Sequence, residues 1–138
     1  MPRSTIVKSL LLTAGVASAG MAVFHFFLPN VYQWPRFMTT VPASIRWGMH
    51  AINAFFSFLL LLGGVATIRF ALSPGRDRMV VWGMALFWGF NGAYQVIWPF
   101  PARAVGWATL AFATGMVVCY ALALWLSLDA PPRTSARR

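Results

Sequence analysis

Four long stretches of this chain carry no charged side chain. They cover residues 9–35, 47–68, 79–102 and 104–128. A transmembrane helix needs about 20 predominantly apolar residues, so each stretch is long enough to cross a bilayer. Only 9% of the residues are charged, whereas about a quarter are charged in a soluble globular domain. The sequence therefore predicts an all-α integral membrane protein.

The charge-free stretches predict a four-transmembrane-helix bundle that forms a single membrane domain over residues 1–138. The predicted spans are 6–28, 45–70, 79–98 and 104–128. Pro29 is expected to end the first helix and Pro99 the third, because proline cannot continue the hydrogen-bond ladder of a helix. The basic tail, residues 129–138, is expected to be disordered.

The net charge of +9 is distributed unevenly between the two ends of the predicted spans. One end holds three basic clusters: Arg3 and Lys8; Arg69, Arg76 and Arg78; and Arg133, Arg137 and Arg138. The other end holds Arg36, Arg46 and Arg103. By the positive-inside rule, the richer end is cytoplasmic. We therefore predict a bacterial inner (cytoplasmic) membrane protein with both termini in the cytoplasm. Its basic residues would attract anionic lipid headgroups and not nucleic acid.

The first span begins like a signal peptide. Basic residues precede a leucine run, and Ala17-Ser18-Ala19 has the form of an A-x-A cleavage site. The apolar sequence nevertheless continues through residues 21–28, whereas a mature protein normally begins with polar residues. We expect the helix to remain as an uncleaved span. Cleavage after Ala19 would leave three spans.

Small residues mark the faces on which the predicted helices would approach closely. The first span offers Ala14, Ser18 and Ala22, the third offers Ala85, Gly89 and Ala93, and the fourth offers Ala104, Ala108, Ala111, Gly115 and Cys119.

A polar face interrupts the second span. Arg46, His50, Asn53 and Ser57 step by four, three and four residues, so they share one side of a helix. Polar side chains at membrane depth are costly and turn towards partners or a cavity. Ser57 lies about two turns deeper than His50, and we interpret it as a helix-packing serine.

Four polar side chains from three spans are predicted to fall in one outer layer. His25 and His50 lie roughly 5–8 Å below the outer helix ends, and Gln95 and Asn91 lie roughly 5 and 10 Å below them. Together with neighbouring polar and aromatic residues, they form the candidate ligand-binding set: His25, His50, Asn53, Asn91, Tyr94, Gln95 and Trp98.

Three interpretations of this layer remain open. Apolar walls with a few converging polar groups are typical of a small-ligand pocket. Alternatively, His25 and His50 could be the axial ligands of a b-type haem, or His50, Asn53 and Gln95 could contact a quinone. The structural alternative is that these side chains cross-link helices through hydrogen bonds worth roughly 0.6–2 kcal/mol.

The residue types that are missing from the spans exclude several kinds of catalysis. Asp77 and Asp129, the only acids, lie outside the predicted spans. A carboxylate-driven reaction or a Ser-His-Asp triad is therefore excluded there. A zinc site would have only two histidines from the spans, and Cys119, the single cysteine, has no disulfide partner in the chain.

We therefore expect a non-enzymatic membrane protein with an outward-facing polar and aromatic pocket. It would bind a small amphipathic ligand, or assemble as a homo-oligomer or within a larger membrane complex. A redox subunit that binds haem or quinone is the alternative.

Overall fold

The structure, a computed structural model, describes residues 3–73 and 78–128. These residues form α-helices and short turns, without a β-strand among them, which confirms the all-helical fold class. The helices are α1 (Arg3–Val31), α2 (Trp34–Phe37), α3 (Ala43–Leu72), α4 (Met79–Ile97) and α5 (Arg103–Leu128). Three of them, α1, α3 and α5, are long and apolar enough to cross a membrane. The tail predicted to be disordered, residues 129–138, lies outside the described residues.

The described residues belong to two compact units. The α1–α3 unit, Leu12–Pro74, contains most of α1 together with α2 and α3. The α4–α5 unit consists of Met1–Leu11 and Gly75–Arg138, and α4 and α5 form its helical hairpin.

In the α1–α3 unit, two glycines bring the backbones of α1 and α3 into contact. A Cβ atom on Gly64 would lie 2.8 Å from both the carbonyl oxygen of Gly15 and the amide nitrogen of Ala19. A Cβ atom on Gly15 would lie 2.9 Å from the carbonyl oxygen of Gly64. Lipid tails are as apolar as leucine, so close packing of small residues is what holds such helices together.

The small face predicted for α1 is confirmed, because Ala14, Ser18 and Ala22 are fully buried. The buried face of α3 follows a spacing of three and four residues: Ser57, Leu60, Gly64, Thr67 and Ala71. This spacing is typical of a helix that presents one continuous face to its neighbours.

Two buried hydroxyl groups on α3 are satisfied within the helix itself. Ser57 Oγ donates to the carbonyl oxygen of Asn53 at 2.6 Å, and Thr67 Oγ1 donates to that of Gly63 at 2.8 Å. Bonding to the carbonyl four residues earlier lets these residues enter an apolar interior without an unpaired donor. This geometry agrees with the packing role expected for Ser57.

The hairpin of α4 and α5 is packed differently, through large side chains. The ring of Trp88 lies edge-on to that of Phe112, with their centroids 5.3 Å apart. Met84, Met116 and Tyr120 are buried with them. These bulky side chains fill the interface, so it does not require the backbone contact seen between α1 and α3.

The small-residue face predicted for α5 is wrong. Ala104, Ala108, Ala111 and Gly115 are exposed. The residues of α5 that are buried are Ala113, Met116, Tyr120, Ala123 and Leu124. The prediction assumed that every helix pair packs through small residues, whereas α5 meets its neighbours mainly through large ones.

The end of the hairpin opposite its Pro99–Pro101 connection is closed by an arginine. Arg78, the residue before α4, donates from Nη2 to the backbone carbonyl of Ser127 at 3.0 Å. Carbonyls in the last turn of a helix lack intrahelical donors, and a cation is favoured there by the helix dipole. The contact therefore joins the start of α4 to the end of α5.

The backbone contact between α1 and α3 predicts opposite effects for two Gly→Ala substitutions in α3. Gly64→Ala should lower the free energy of unfolding by about 1–3 kcal/mol, because the methyl group would overlap the backbone of α1. Gly48→Ala is the matched control, since a Cβ atom there has no neighbour within 4 Å. It should be neutral, or stabilising by up to about 1 kcal/mol through helix propensity. Thermal unfolding in mild detergent measures both, and equal losses would contradict the contact.

Candidate functional site

The seven predicted ligand-binding residues lie in two groups, one in each compact unit. The first group, in the α1–α3 unit, consists of His25, His50 and Asn53. The second group lies along the final turns of α4 and just beyond it: Asn91, Tyr94, Gln95 and Trp98.

The first group is organised around a proline within α1. The predicted end of the first helix at residue 28 is wrong, because α1 continues through Pro29 to Val31. Proline has no N–H group, so the carbonyl four residues earlier, that of His25, loses its normal intrahelical donor. Asn53 Nδ2 donates to this carbonyl oxygen at 2.8 Å. A side chain from α3 thus supplies the hydrogen bond that the proline removes, which is how proline is tolerated in membrane helices.

The imidazole of His25 packs against the same region of α3. Its ring centroid lies 4.9 Å from that of Phe56 in an edge-on arrangement. The half-buried His25 is therefore level with Asn53 and Phe56 along α3.

His50 makes a different contact, with the short helix α2. Its ring centroid lies 5.4 Å from that of Trp34, the first residue of α2. Gln33, which precedes α2, has a φ of 50° and adopts the left-handed conformation that turns the chain between α1 and α2. His50 lies roughly 4.5–9 Å along α3 from the level of Asn53 and Phe56. The two histidines thus contact different aromatic partners.

The second group lies beside a cavity of about 650 Å³. The cavity opens between the last turn of α4, the connection at residues 99–101 and the first two turns of α5. Residues that line it include Gln95, Val96, Phe100, Arg103, Trp107 and Leu110. Its volume falls within the roughly 300–1,000 Å³ range of small-molecule pockets.

The lining of this cavity combines polar and apolar side chains. Arg103, at the start of α5, and Gln95, near the end of α4, supply its charged and amide groups. Trp107 and Leu110 follow along α5, and Leu110 lies roughly 10 Å of helix rise beyond Arg103. A cavity that combines these side chains suits a molecule that has a polar head and an apolar tail.

The sequence analysis identified Gln95 but missed the other important residues of this cavity. In the sequence, Arg103 is one of the basic residues at the less basic end, Trp107 and Leu110 lie within the predicted fourth span, and Phe100 lies between two predicted spans. The available signal was a Pro-Phe-Pro connection between two apolar helices with Gln95 and Arg103 on either side of it. Such a sharp connection brings the two polar residues to the same end of the hairpin.

The remaining members of the second group lie outside this lining. Tyr94 and Trp98 are exposed, as expected of aromatic anchors at a membrane interface. Asn91 is half-buried on α4, one turn before Gln95.

Within the described part of the chain, His, Cys, Asp and Glu side chains form no group of three or more that could hold a metal ion. Comparison of the chain with protein-family models, curated proteins and solved structures gives no match.

The role of Asn53 predicts a coupled effect with Pro29. Asn53→Ala should lower the free energy of unfolding by about 1 kcal/mol, because the His25 carbonyl loses its donor. An alanine in place of the proline would carry an N–H group, so the loss caused by Asn53→Ala should be much smaller in a Pro29→Ala background. Thermal unfolding of the wild type, both single variants and the double variant provides the double-mutant cycle. An identical loss in the two backgrounds would show that Asn53 does not compensate for the proline.

Proposed function

We propose that this chain is a four-span inner-membrane protein that binds a small amphipathic ligand in the cavity at the α4–α5 connection. The observation that carries the proposal is the cavity of about 650 Å³, whose mainly apolar lining also contains the charged Arg103 and the amide of Gln95. Binding, and not catalysis, is the activity that this lining supports best.

The proportions of the hairpin support α4 as a fourth span. α4 has 19 residues and a length of roughly 28 Å, close to the roughly 30 Å hydrocarbon core of a bilayer. Exposed tryptophans lie near both ends of the hairpin: Trp82 and Trp98 on α4, and Trp107 and Trp125 on α5. Trp82 and Trp98 are separated by roughly 24 Å of helix rise, and Trp107 and Trp125 by roughly 27 Å. Tryptophan is enriched at both membrane interfaces, so this spacing fits two helices that each cross the bilayer.

Four spans put both termini on one side of the membrane. The richer set of basic residues identifies that side as the cytoplasm. The connection at residues 99–101 and Arg103 then lie on the outer side, so the cavity is open towards the outer leaflet.

Cysteine labelling tests this topology in a Cys119→Ala background. Thr40, Ser73 and Ala102 are exposed and lie before α3, after α3 and between α4 and α5, respectively. Thr40→Cys and Ala102→Cys should react with a membrane-impermeant maleimide in intact cells. Ser73→Cys should react only after the cells are permeabilised. Labelling of Ala102→Cys together with Ser73→Cys would show that α4 does not cross the membrane, and labelling of Thr40→Cys only after permeabilisation would reverse the orientation.

The redox alternative receives less support from these contacts. The Asn53 amide is already bonded to the His25 carbonyl. A haem between α1 and α3 would require these helices to separate at that depth. A quinone at His50, Asn53 and Gln95 would have to share the Asn53 amide with the His25 carbonyl.

Filling the cavity should remove the ligand. Leu110→Trp adds a bulky side chain to the lining, whereas Leu122→Trp adds the same group at an exposed position on the same helix. Mass spectrometry of extracts from protein purified in mild detergent should find an amphipathic molecule in stoichiometric amount. The Leu110→Trp variant should retain several-fold less of it than the wild type, and Leu122→Trp should retain the wild-type amount. Equal retention in all three proteins would place the ligand outside this cavity.

A further inference from the structure

We infer that the ligand of this cavity is a phospholipid with a net negative headgroup, whose phosphate is bound by Arg103 with Gln95 beside it. This inference rests on the proposed function, because it names the chemical class of the molecule that the same cavity binds.

The described residues offer Arg103 no carboxylate side chain. The sequence has two acidic residues, Asp77 and Asp129, and neither belongs to the described residues. Arg103 is exposed at the start of α5, where it lines the cavity. Among the described residues there is no acidic side chain to pair with its guanidinium group, which therefore favours an anionic group on a ligand in the cavity.

The shape of the charged group favours a phosphate. A guanidinium group presents several N–H donors in a plane and binds phosphate oxygens with two parallel hydrogen bonds. The Gln95 amide adds N–H donors on the opposite wall of the cavity. An amphiphile with neutral carbonyl groups could use the amide but would leave the charge of Arg103 uncompensated.

The apolar part of the cavity favours a lipid over a free anion. Val96, Phe100, Trp107 and Leu110 contribute its walls. Inorganic phosphate would occupy the end at Arg103 and leave the roughly 10 Å beyond it unfilled. An acyl chain lying along Trp107 and Leu110 would cover these apolar groups.

The absence of acidic residues from the described part of the chain also favours the binding of anionic over zwitterionic lipids. Phosphatidylcholine has no net charge, because its quaternary ammonium group offsets its phosphate. A chain with a net charge of +9 attracts a lipid with a net negative charge more strongly than a neutral one. Phosphatidylglycerol presents the same phosphate without that cation, so it should bind more tightly.

Native mass spectrometry of the full-length protein in detergent tests the inference. Phosphatidylglycerol and phosphatidylcholine with identical acyl chains are titrated into the wild type and three variants. The wild type should bind one phosphatidylglycerol about tenfold or more tightly than phosphatidylcholine, as expected for a charged hydrogen bond. Arg103→Gln should abolish this preference. Arg46→Gln, which removes one charge from an exposed arginine in the other unit, should preserve it.

The Leu110→Trp variant distinguishes two outcomes: that the headgroup is not anionic, and that the cavity is not the binding site. Equal affinity of the wild type for the two lipids, with both lost in Leu110→Trp, would overturn the anionic headgroup but leave the cavity as the binding site. Equal losses in Arg103→Gln and Arg46→Gln would show general charge attraction and overturn the role of Arg103. Complete displacement of the lipid by inorganic phosphate would identify a free anion as the ligand. Unchanged lipid binding in Leu110→Trp would overturn the proposed function itself.

Discussion

The α1–α3 unit depends on the requirement that backbone polar groups in an apolar environment find partners within the protein. Pro29 frees the carbonyl of His25, and the Asn53 amide of α3 bonds it. This bond can form because Gly15 and Gly64 let the two backbones touch. Asn53, in the most polar stretch of α3, therefore has a structural explanation: it supports a helix that continues past its own proline. The hydroxyl groups on the buried face of α3 follow the same requirement by bonding to carbonyls of their own helix.

The α4–α5 unit is packed in a different way from the α1–α3 unit. Large side chains such as Trp88 and Phe112 fill its interface, and Arg78 bonds the end of α5. At the opposite end, the connection contains Pro99 and Pro101. α4 ends before them, and α5 begins after them at Arg103. That end contains the cavity, and its lining combines one cation and one amide with apolar groups. Packing therefore accounts for Asn53, Ser57 and Thr67 in the first unit, while Gln95 and Arg103 in the second line a cavity.

The sequence was sufficient for the features that depend on composition along one helix. Charge-free stretches predicted the apolar helices, and the small face of Ala14, Ser18 and Ala22 was correctly identified as buried. Predictions failed where the answer depends on a neighbouring helix. The proline rule considers the donors of one helix, so it could not anticipate that Asn53 would let α1 pass Pro29. The exposed face of α5 was misjudged because small residues permit close packing without requiring it.

The candidate site was only partly predictable for a related reason. Gln95 was identified because an amide at membrane depth is unusual by itself. An arginine at a membrane interface and a tryptophan in a span are both common, so Arg103 and Trp107 do not stand out in the sequence. They become candidate site residues only because the folded hairpin places them in the same cavity lining as Gln95. Whether His25 and His50 share a layer with Asn91 and Gln95 remains a prediction.

The most direct test of the account is a density map of the protein in lipid nanodiscs that contain anionic and zwitterionic phospholipids. We expect elongated density with its head at the Arg103 guanidinium and its tail along Trp107 and Leu110. A cavity that contains only water, or that protein side chains close, would contradict the account.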